Sequence, residues 1–275
     1  MRKNGSLTTA ASFGPMNTLR HHTPAGIINL YKPPGRSSAQ YVYRLRQVFG
    51  IRKVGHAGTL DPFADGVLLG CVGRGTKLVE ALMYLPKQYE STLRLGVTNA
   101  TLDPEQPFEP VEIDAPPTLD AVSTAVADLV GEIDQVPPIF SAVKIDGVPS
   151  YKLAARGKHR EKPARRVHIH RITILDYQWP LLRLDILCGR GTYIRAIARD
   201  IGSALQCGAC CQSLTRTAVG PFRLPEAINL DRAPPETVLA ALISVPDAQK
   251  QIATAREIAA RPPGKDRASD QRRNR

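Results

Sequence analysis

The run VLLGCV at residues 67–72 places six apolar or small side chains in succession, with no polar residue at alternate positions. A strand with one wet face would alternate, so an unbroken run this short reads as a strand buried on both faces. Such a strand needs packed layers on either side. At 275 residues the chain is long enough to supply them as one large domain or two modest ones.

The surrounding pattern indicates which layers. GIINLYK (26–32) reads as a strand, and KPPGRSS then turns the chain into a helix capped by Ser38, with Val42, Leu45 and Phe49 on one face. A helix is expected over about 76–85. QYESTLRLGV (88–97) alternates Tyr89, Ser91, Leu93, Leu95 and Val97 against polar or small neighbours, which is strand periodicity. Residues 99–117 are rich in proline and acid and read as a long surface excursion. A helix is expected over 118–130, strands over 139–145, 167–176 and 181–188, and a last helix over 235–243. TYIRAIARDIGSALQ (192–206) sets Ile194, Ile197, Ala198, Ile201 and Leu205 at helical spacing. Strands and helices do not alternate regularly, so the expected class is α+β, a mixed, mainly antiparallel central sheet flanked by helices and loops.

Charge divides the chain further. The net charge is +12, and residues 151–171 alone hold eight Lys/Arg against Glu161. A basic stretch in a body otherwise mildly acidic points to a polyanion, with Lys152, Arg156, Lys158, Arg160, Arg165 and Arg166 as candidate phosphate contacts. Residues 1–24 lack periodicity and read as a disordered leader. Residues 25–247 read as the folded body, and 248–275 as a basic, disordered tail. The five cysteines suit neither a disulfide framework nor a zinc site, because CGACC has no second Cys/His pair at finger spacing. No metal is expected. No run approaches a membrane span and no secretory signal is legible, so a cytoplasmic protein is expected.

One four-letter word occurs twice, as Thr-Leu-Asp-Pro at 59–62 and again at 101–104. Gly55, Gly58 and Gly66 surround the first copy and leave its backbone open to close approach by another molecule, while Pro62 steers Asp61 into extended geometry. The second copy runs on into EQPFEP, with Glu105 and Glu109 nearby, so Asp103 is expected to be a solvated carboxylate that shapes its loop. Asp61 is the better candidate for chemistry of the two, although its spacing alone favours an Asx-type turn residue bonded to its own loop.

KVGHAGTLDPFADGVLLGCVGRGTKL (53–78) closely resembles the catalytic segment of the bacterial tRNA pseudouridine synthase B family. Further blocks agree in order: GIINLYKPPGRSS, KQYESTLRLGV, QVPPIFSAVKIDGVPSYKLAARG, GRGTYIRAIARDIG and LTRTAVGPF. The resemblance covers about residues 25–245 and implies the pseudouridine synthase fold. It implies conversion of uridine to pseudouridine in the T loop of tRNA, at the position conventionally numbered 55. On that resemblance Asp61 is the catalytic aspartate, acting as nucleophile or in cleaving the glycosidic bond, and Arg195 is its ion-pair partner. Tyr89 is the ring that stacks on the target base and a catalytic candidate for proton transfer. Tyr193 and Leu214 contact the base, His56 fills the space left by extruded nucleotides, and Lys32 has a supporting role at the substrate site. No cofactor is implied, because the reaction is redox-neutral. The partner is tRNA, with no obligate protein partner and a monomeric state expected.

This chain departs from the family pattern in three places. Gly189-Arg190 stands where the family often has Ser-Lys. TNATLDPEQP keeps Thr98, Thr101 and Asp103 but lacks the family's closing glycine. Only a short polar stretch follows ISVPDA, so the family's C-terminal PUA-type domain is not expected. Two rival readings exist. One is a non-catalytic RNA-binding or chaperone protein. The other is a glycosidase-like hydrolase, which needs a second carboxylate and finds only Asp65 and Glu80 nearby in sequence.

Overall fold

The computed structural model describes residues 23–140, 144–145, 148–149 and 163–260. Strands β1 (Gly26–Lys32), β2 (Val54–His56), β3 (Asp65–Val72), β4 (Lys87–Leu95), β5 (Gly131–Gln135), β6 (Arg165–Gln178), β7 (Leu181–Cys188) and β8 (Ala209–Val219) form most of an eleven-stranded sheet. Its main path runs β1-β3-β8-β4-β7-β6-β5, with β2 paired to β3 and further short strands paired to β1 and β8. Every contact along that path is antiparallel except β3 with β8, which is parallel and covers two residue pairs, Asp65 with Thr215 and Gly66 with Arg216. The class is α+β with a mixed sheet, as the irregular alternation of elements implies.

Strand β3 is covered on both faces. Leu68 and Val72 join the larger apolar cluster with helices α1 (Ser38–Phe49) and α4 (Ile194–Ala204), whereas Val67, Leu69 and Cys71 join a second cluster on the other side. Helix α1 begins one residue earlier than expected. Ser37, not Ser38, is the cap, and with Gln40 it forms a reciprocal capping box. That frees Ser38 for another task described below. The expected helix at 76–85 is a 3₁₀ turn over Gly73–Leu78 running into α2 (Val79–Met83), and α3 (Leu119–Ala127) starts behind Thr118 as its cap.

Four expectations need correction. Strand β8 lies in the middle of the sheet although its sequence does not alternate cleanly, because bulges interrupt it between Cys211 and Ser213 and between Arg216 and Ala218. Of the expected strand at 139–145, residues 139–140 are not extended into a strand, Lys144–Ile145 pairs with Val148–Pro149, and 141–143 lie outside the described residues. The expected helix at 235–243 is α5 (Pro235–Ala240), and the polar stretch taken as a tail from 248 begins as helix α6 (Val245–Ala260). Ala248 and Ile252 of α6 are buried in the second cluster, with Val245 and Ala255 packed against it, so a stripe at helical spacing docks the helix. Residues 261–275 and the leader 1–22 lie outside the described residues.

The fourth correction concerns 99–117. Residues 104–117 run at the surface as expected, but the start of the segment is anchored, because Asn99, Thr101 and Asp103 are all buried. The Asn99 amide donates to the carbonyls of Asp103 and Gln106 at 2.8 and 3.0 Å, and its Oδ1 accepts from the Leu102 N–H at 2.6 Å. The Cys211 N–H donates to the Leu102 carbonyl at 2.9 Å, which ties the loop to β8. Among the described residues no helix is long and apolar enough to cross a membrane.

Candidate active site

The site forms where β3 and β8 meet briefly and diverge, and the loop carrying Asp61 enters beside that junction. Gly66 is needed there, since it has φ +106° and an added Cβ would lie 2.3 Å from the Arg216 carbonyl oxygen. The loop itself is fastened residue by residue. Buried Arg216 donates from Nε to the Val67 carbonyl at 2.7 Å and from Nη2 to the Gly58 carbonyl at 3.1 Å, with a longer 3.4 Å contact to the Thr59 carbonyl. Ser38 Oγ accepts from the Leu60 N–H at 3.0 Å and donates to the Leu60 carbonyl at 3.2 Å. The Gly35 N–H and the Lys32 ammonium both donate to the Pro62 carbonyl, at 2.8 and 3.2 Å. Asp61 is therefore presented on a backbone with little freedom to move.

Arg195, at the start of α4, faces that carboxylate. Its neighbours Ile194, Ile197, Ala198 and Ile201 anchor the helix in the core, and the guanidinium is itself 4% exposed. Nε lies 2.9 Å from Asp61 Oδ2, an ion pair in which the N–H does not point squarely at the oxygen. Nη1 donates to Asp103 Oδ2 at 3.0 Å and to the Thr101 carbonyl at 2.8 Å, and Nη2 to the Phe140 carbonyl at 2.9 Å. Both copies of the repeated word thus end on one arginine. Asp103, expected to be solvated, is 2% exposed and also accepts from the Glu105 N–H at 3.0 Å. Burial pushes its carboxyl above the usual range against the pull of Thr101 and Arg195.

A cavity of about 240 Å³ opens over this pair. Asp61, Tyr89, Tyr193, Arg195 and Leu214 all line it, together with Lys87, Arg190 and Arg216. Tyr89 is buried and its phenol pKa is raised by desolvation, so it stays protonated at neutral pH, while the nearby Arg216 charge partly offsets the rise. Tyr193 precedes α4, with its backbone clamped by the Gln135 side chain: its N–H donates to Oε1 at 2.8 Å and its carbonyl accepts from Nε2 at 3.2 Å. A larger groove, of about 880 Å³, lies on the other side of the sheet, beside Gln88 rather than Tyr89, and contains no comparable acid–arginine pair.

Two expected site residues are not in the cavity. Lys32 is fully buried and gives its donors to the carbonyls of Pro33, Arg36 and Pro62. From there it braces the Asp61 loop through the Pro62 carbonyl, and burial brings its pKa down to about 8. His56 sits in β2 opposite Gly70, with Nδ1 buried and unbonded, and burial lowers its pKa. Of the candidate phosphate contacts, Arg165 and Arg166 are exposed on β6, while Lys152, Arg156, Lys158 and Arg160 lie outside the described residues. The rival hydrolase acids fit poorly. Asp65 accepts a 3.3 Å bond from Tyr31 at the foot of β3, Glu80 is exposed on α2, and neither lines the cavity.

Sequence reading gave no role to Arg216 or Lys87, and took Ser38 only as a helix cap. Arg216 had a visible signal, a cation two residues after Leu214 and so on the same strand face. Among the described residues no group of three His, Cys, Asp or Glu could hold a metal, and the cysteine thiols are buried, with Cys71 and Cys188 pushed up to about 12.

Known proteins share this sequence and arrangement. Residues 46–194 match the family model described as TruB family pseudouridylate synthase (N terminal domain), and residues 195–239 match the tRNA pseudouridylate synthase B C-terminal domain. The tRNA pseudouridine synthase B of Clostridium novyi (strain NT) is 39% identical over 227 residues, which cover 82% of this chain and 78% of that protein. The protein of the same name from Pseudomonas aeruginosa (strain UCBPP-PA14) is 42% identical over 207 residues, 75% of this chain and 68% of the relative. Among solved structures, a chain of a Cbf5-Nop10-Gar1 complex is similar with a TM-score of 0.63 and 28% identity, over 86% of this chain and 64% of that one. A chain of an H/ACA RNP bound to a substrate RNA containing 2'-deoxyuridine gives 0.56 and 27%, over 78% of this chain and 54% of that one.

Proposed function

Because the chain belongs to the TruB family of pseudouridylate synthases, we propose that it converts uridine to pseudouridine in the T loop of tRNA, at position 55. The supporting observation is the Asp61–Arg195 ion pair at the base of a cavity whose other walls are Tyr89, Tyr193 and Leu214. The reaction breaks the bond from N1 of the base to the ribose, forms a bond from C5 to the same carbon, and releases the C5 hydrogen as a proton. Asp61 is the nucleophile. The Arg195 guanidinium, 2.9 Å away, pairs with that carboxylate and holds it facing the cavity. The uridine must leave the folded loop to reach it, and the Tyr89 ring replaces the stacking lost on extrusion.

The basic residues around 152–166 fasten RNA phosphates without reading sequence. The catalytic unit is residues 25–247, to which α6 is docked, and it works as a cytoplasmic monomer. Nop10 and Gar1, the protein partners in the similar solved complex, are partners of that protein. The reading is tested by incubating the protein with a tRNA transcript tritiated at uridine C5, then mapping the modified nucleotide by carbodiimide primer extension. Stoichiometric tritium release with a single stop at position 55 is expected. Tight binding without release would favour the non-catalytic RNA-binding reading, and a stop elsewhere would reassign the substrate.

A further inference from the structure

Four cations line the cavity, and three of them are committed to the protein. Arg195 holds two carboxylates and two carbonyls, Arg216 holds backbone carbonyls of the Asp61 loop and β3, and Lys87 donates to the Met83 and Leu85 carbonyls. Arg190 differs. Among the described residues it is the cavity cation with no carboxylate or carbonyl partner, and it is exposed at the rim. Its guanidinium carbon instead lies over the Tyr84 ring, 4.5 Å from the centroid, and that ring is 57% exposed.

Both members of this pair stand on fixed backbone. The Tyr84 N–H donates to the Glu80 carbonyl at 3.2 Å, and buried Lys87 takes the carbonyls on either side of Tyr84. Arg190 follows Gly189, whose N–H donates to the His168 carbonyl at 2.8 Å and whose carbonyl accepts from Thr192 Oγ1 at 3.2 Å. An unsupported surface arginine loses much rotamer freedom when it binds a ligand. One already stacked on a rigid ring loses less, while its planar fork of N–H donors stays available for an anion. Asp61 and Asp103 offset the charge of Arg195, but no lining carboxylate offsets Lys87, Arg190 and Arg216, so a neighbouring anion is attracted to the rim.

We infer that Arg190, held in place by stacking on Tyr84, grips a backbone phosphate of the RNA strand next to the target uridine. Tyr84 is then a positioning residue acting through Arg190. The inference rests on the reading of the cavity as a uridine site. Gly189-Arg190 replaces the Ser-Lys often found there, and a lysine could not exploit the ring through a planar stack in the same way.

Binding of a T-arm hairpin RNA by the full chain tests it, measured in the Asp61→Asn background over a range of salt. Adding Arg190→Ala is expected to weaken binding roughly tenfold and lower the slope of log Kd against log salt by about one. Adding Tyr84→Ala weakens binding roughly threefold when Arg190 is present and has no effect when Arg190 is already alanine. Tyr84→Phe, which keeps the ring, binds like the parent, and Arg190→Lys keeps the slope while losing part of the affinity. Hairpins with one methylphosphonate at each linkage flanking the uridine locate the contact, because the Arg190→Ala penalty disappears at one of them. An unchanged salt slope, additive Tyr84 and Arg190 effects, or a penalty that survives every neutral linkage would overturn the inference. The wild-type protein on a C5-tritiated hairpin separates the two levels. No release sinks the uridine reading itself, whereas normal release with Arg190→Ala binding like the parent sinks only the phosphate grip.

Discussion

Asp61 and Asp103 occupy the same four-letter word and touch the same guanidinium, yet one faces a cavity and the other is sealed. The Asp61 side chain is 32% exposed and lines the 240 Å³ space, while Asp103 is 2% exposed behind Arg195 and the Asn99 loop. A substrate can reach the first and not the second. What separates a reacting group from a structural one is therefore what covers it, since the local word and the charge partner are shared. Asp103 fixes Arg195 from behind so that Nε stays aimed at the Asp61 side of the pocket. One cation between two carboxylates also leaves the trio net negative, which keeps Arg195 from being drawn towards RNA phosphate.

The contrast can be broken by substitution, starting with the largest effect. Asp61→Asn is expected to cost about 10³-fold or more in tritium release while leaving hairpin affinity within a few-fold, because an amide keeps the shape and loses the nucleophile. Measurable turnover close to wild type would move the chemistry elsewhere. Next is Arg195→Met, which leaves Asp103 as an unpaired buried charge and should lower stability by about 3–5 kcal/mol in urea unfolding. Adding Asp103→Asn to that variant should recover part of the loss, since the orphaned charge is removed. Equal stability of single and double variants would mean that the two groups are not coupled. Asp103→Asn alone should slow turnover by roughly 10–100-fold, the cost of an arginine held less firmly, and a single-turnover assay reads this directly.

The smallest effect sharpens the role of His56. Burial, and after it the Arg216 charge, lowers this imidazole's pKa below the ordinary histidine value of about 6.5. Below that pH the unfolded chain takes up a proton that the folded protein resists. The contribution is present at neutral pH and is lost as pH falls through 6.5 towards the folded-state pKa. His56→Gln should flatten that limb of the urea midpoint against pH, relative to wild type. Parallel curves for the two proteins would show that His56 titrates alike in both states.

Much of the frame was legible because its signals are local. VLLGCV announces a strand covered on both faces, the alternation at 88–97 announces β4, and the helical spacing at 194–205 announces α4. Strand β8 was hidden because two bulges shift its period, so Leu214 and Arg216 point together while the residues around them break step. Helix α6 was hidden because its contact with the second cluster comes through Ala248, Ile252 and Ala255, too few to dominate a polar stretch. Asp103 misled for a different reason. Its cover is Arg195, ninety-two residues away, and no neighbour in sequence reports that. Likewise the bracing of the Asp61 loop by Lys32, Ser38 and Arg216 depends on contacts 22 to 158 residues apart.

The division of labour between the two aspartates is tested most directly by single-turnover tritium release from one T-arm hairpin, run side by side with Asp61→Asn and Asp103→Asn at saturating protein. Asp61→Asn should bind the hairpin and release essentially nothing, whereas Asp103→Asn should reach full release slowly. If Asp103→Asn proves inert while Asp61→Asn still completes the reaction, the sealed carboxylate is the reacting one and the account is wrong.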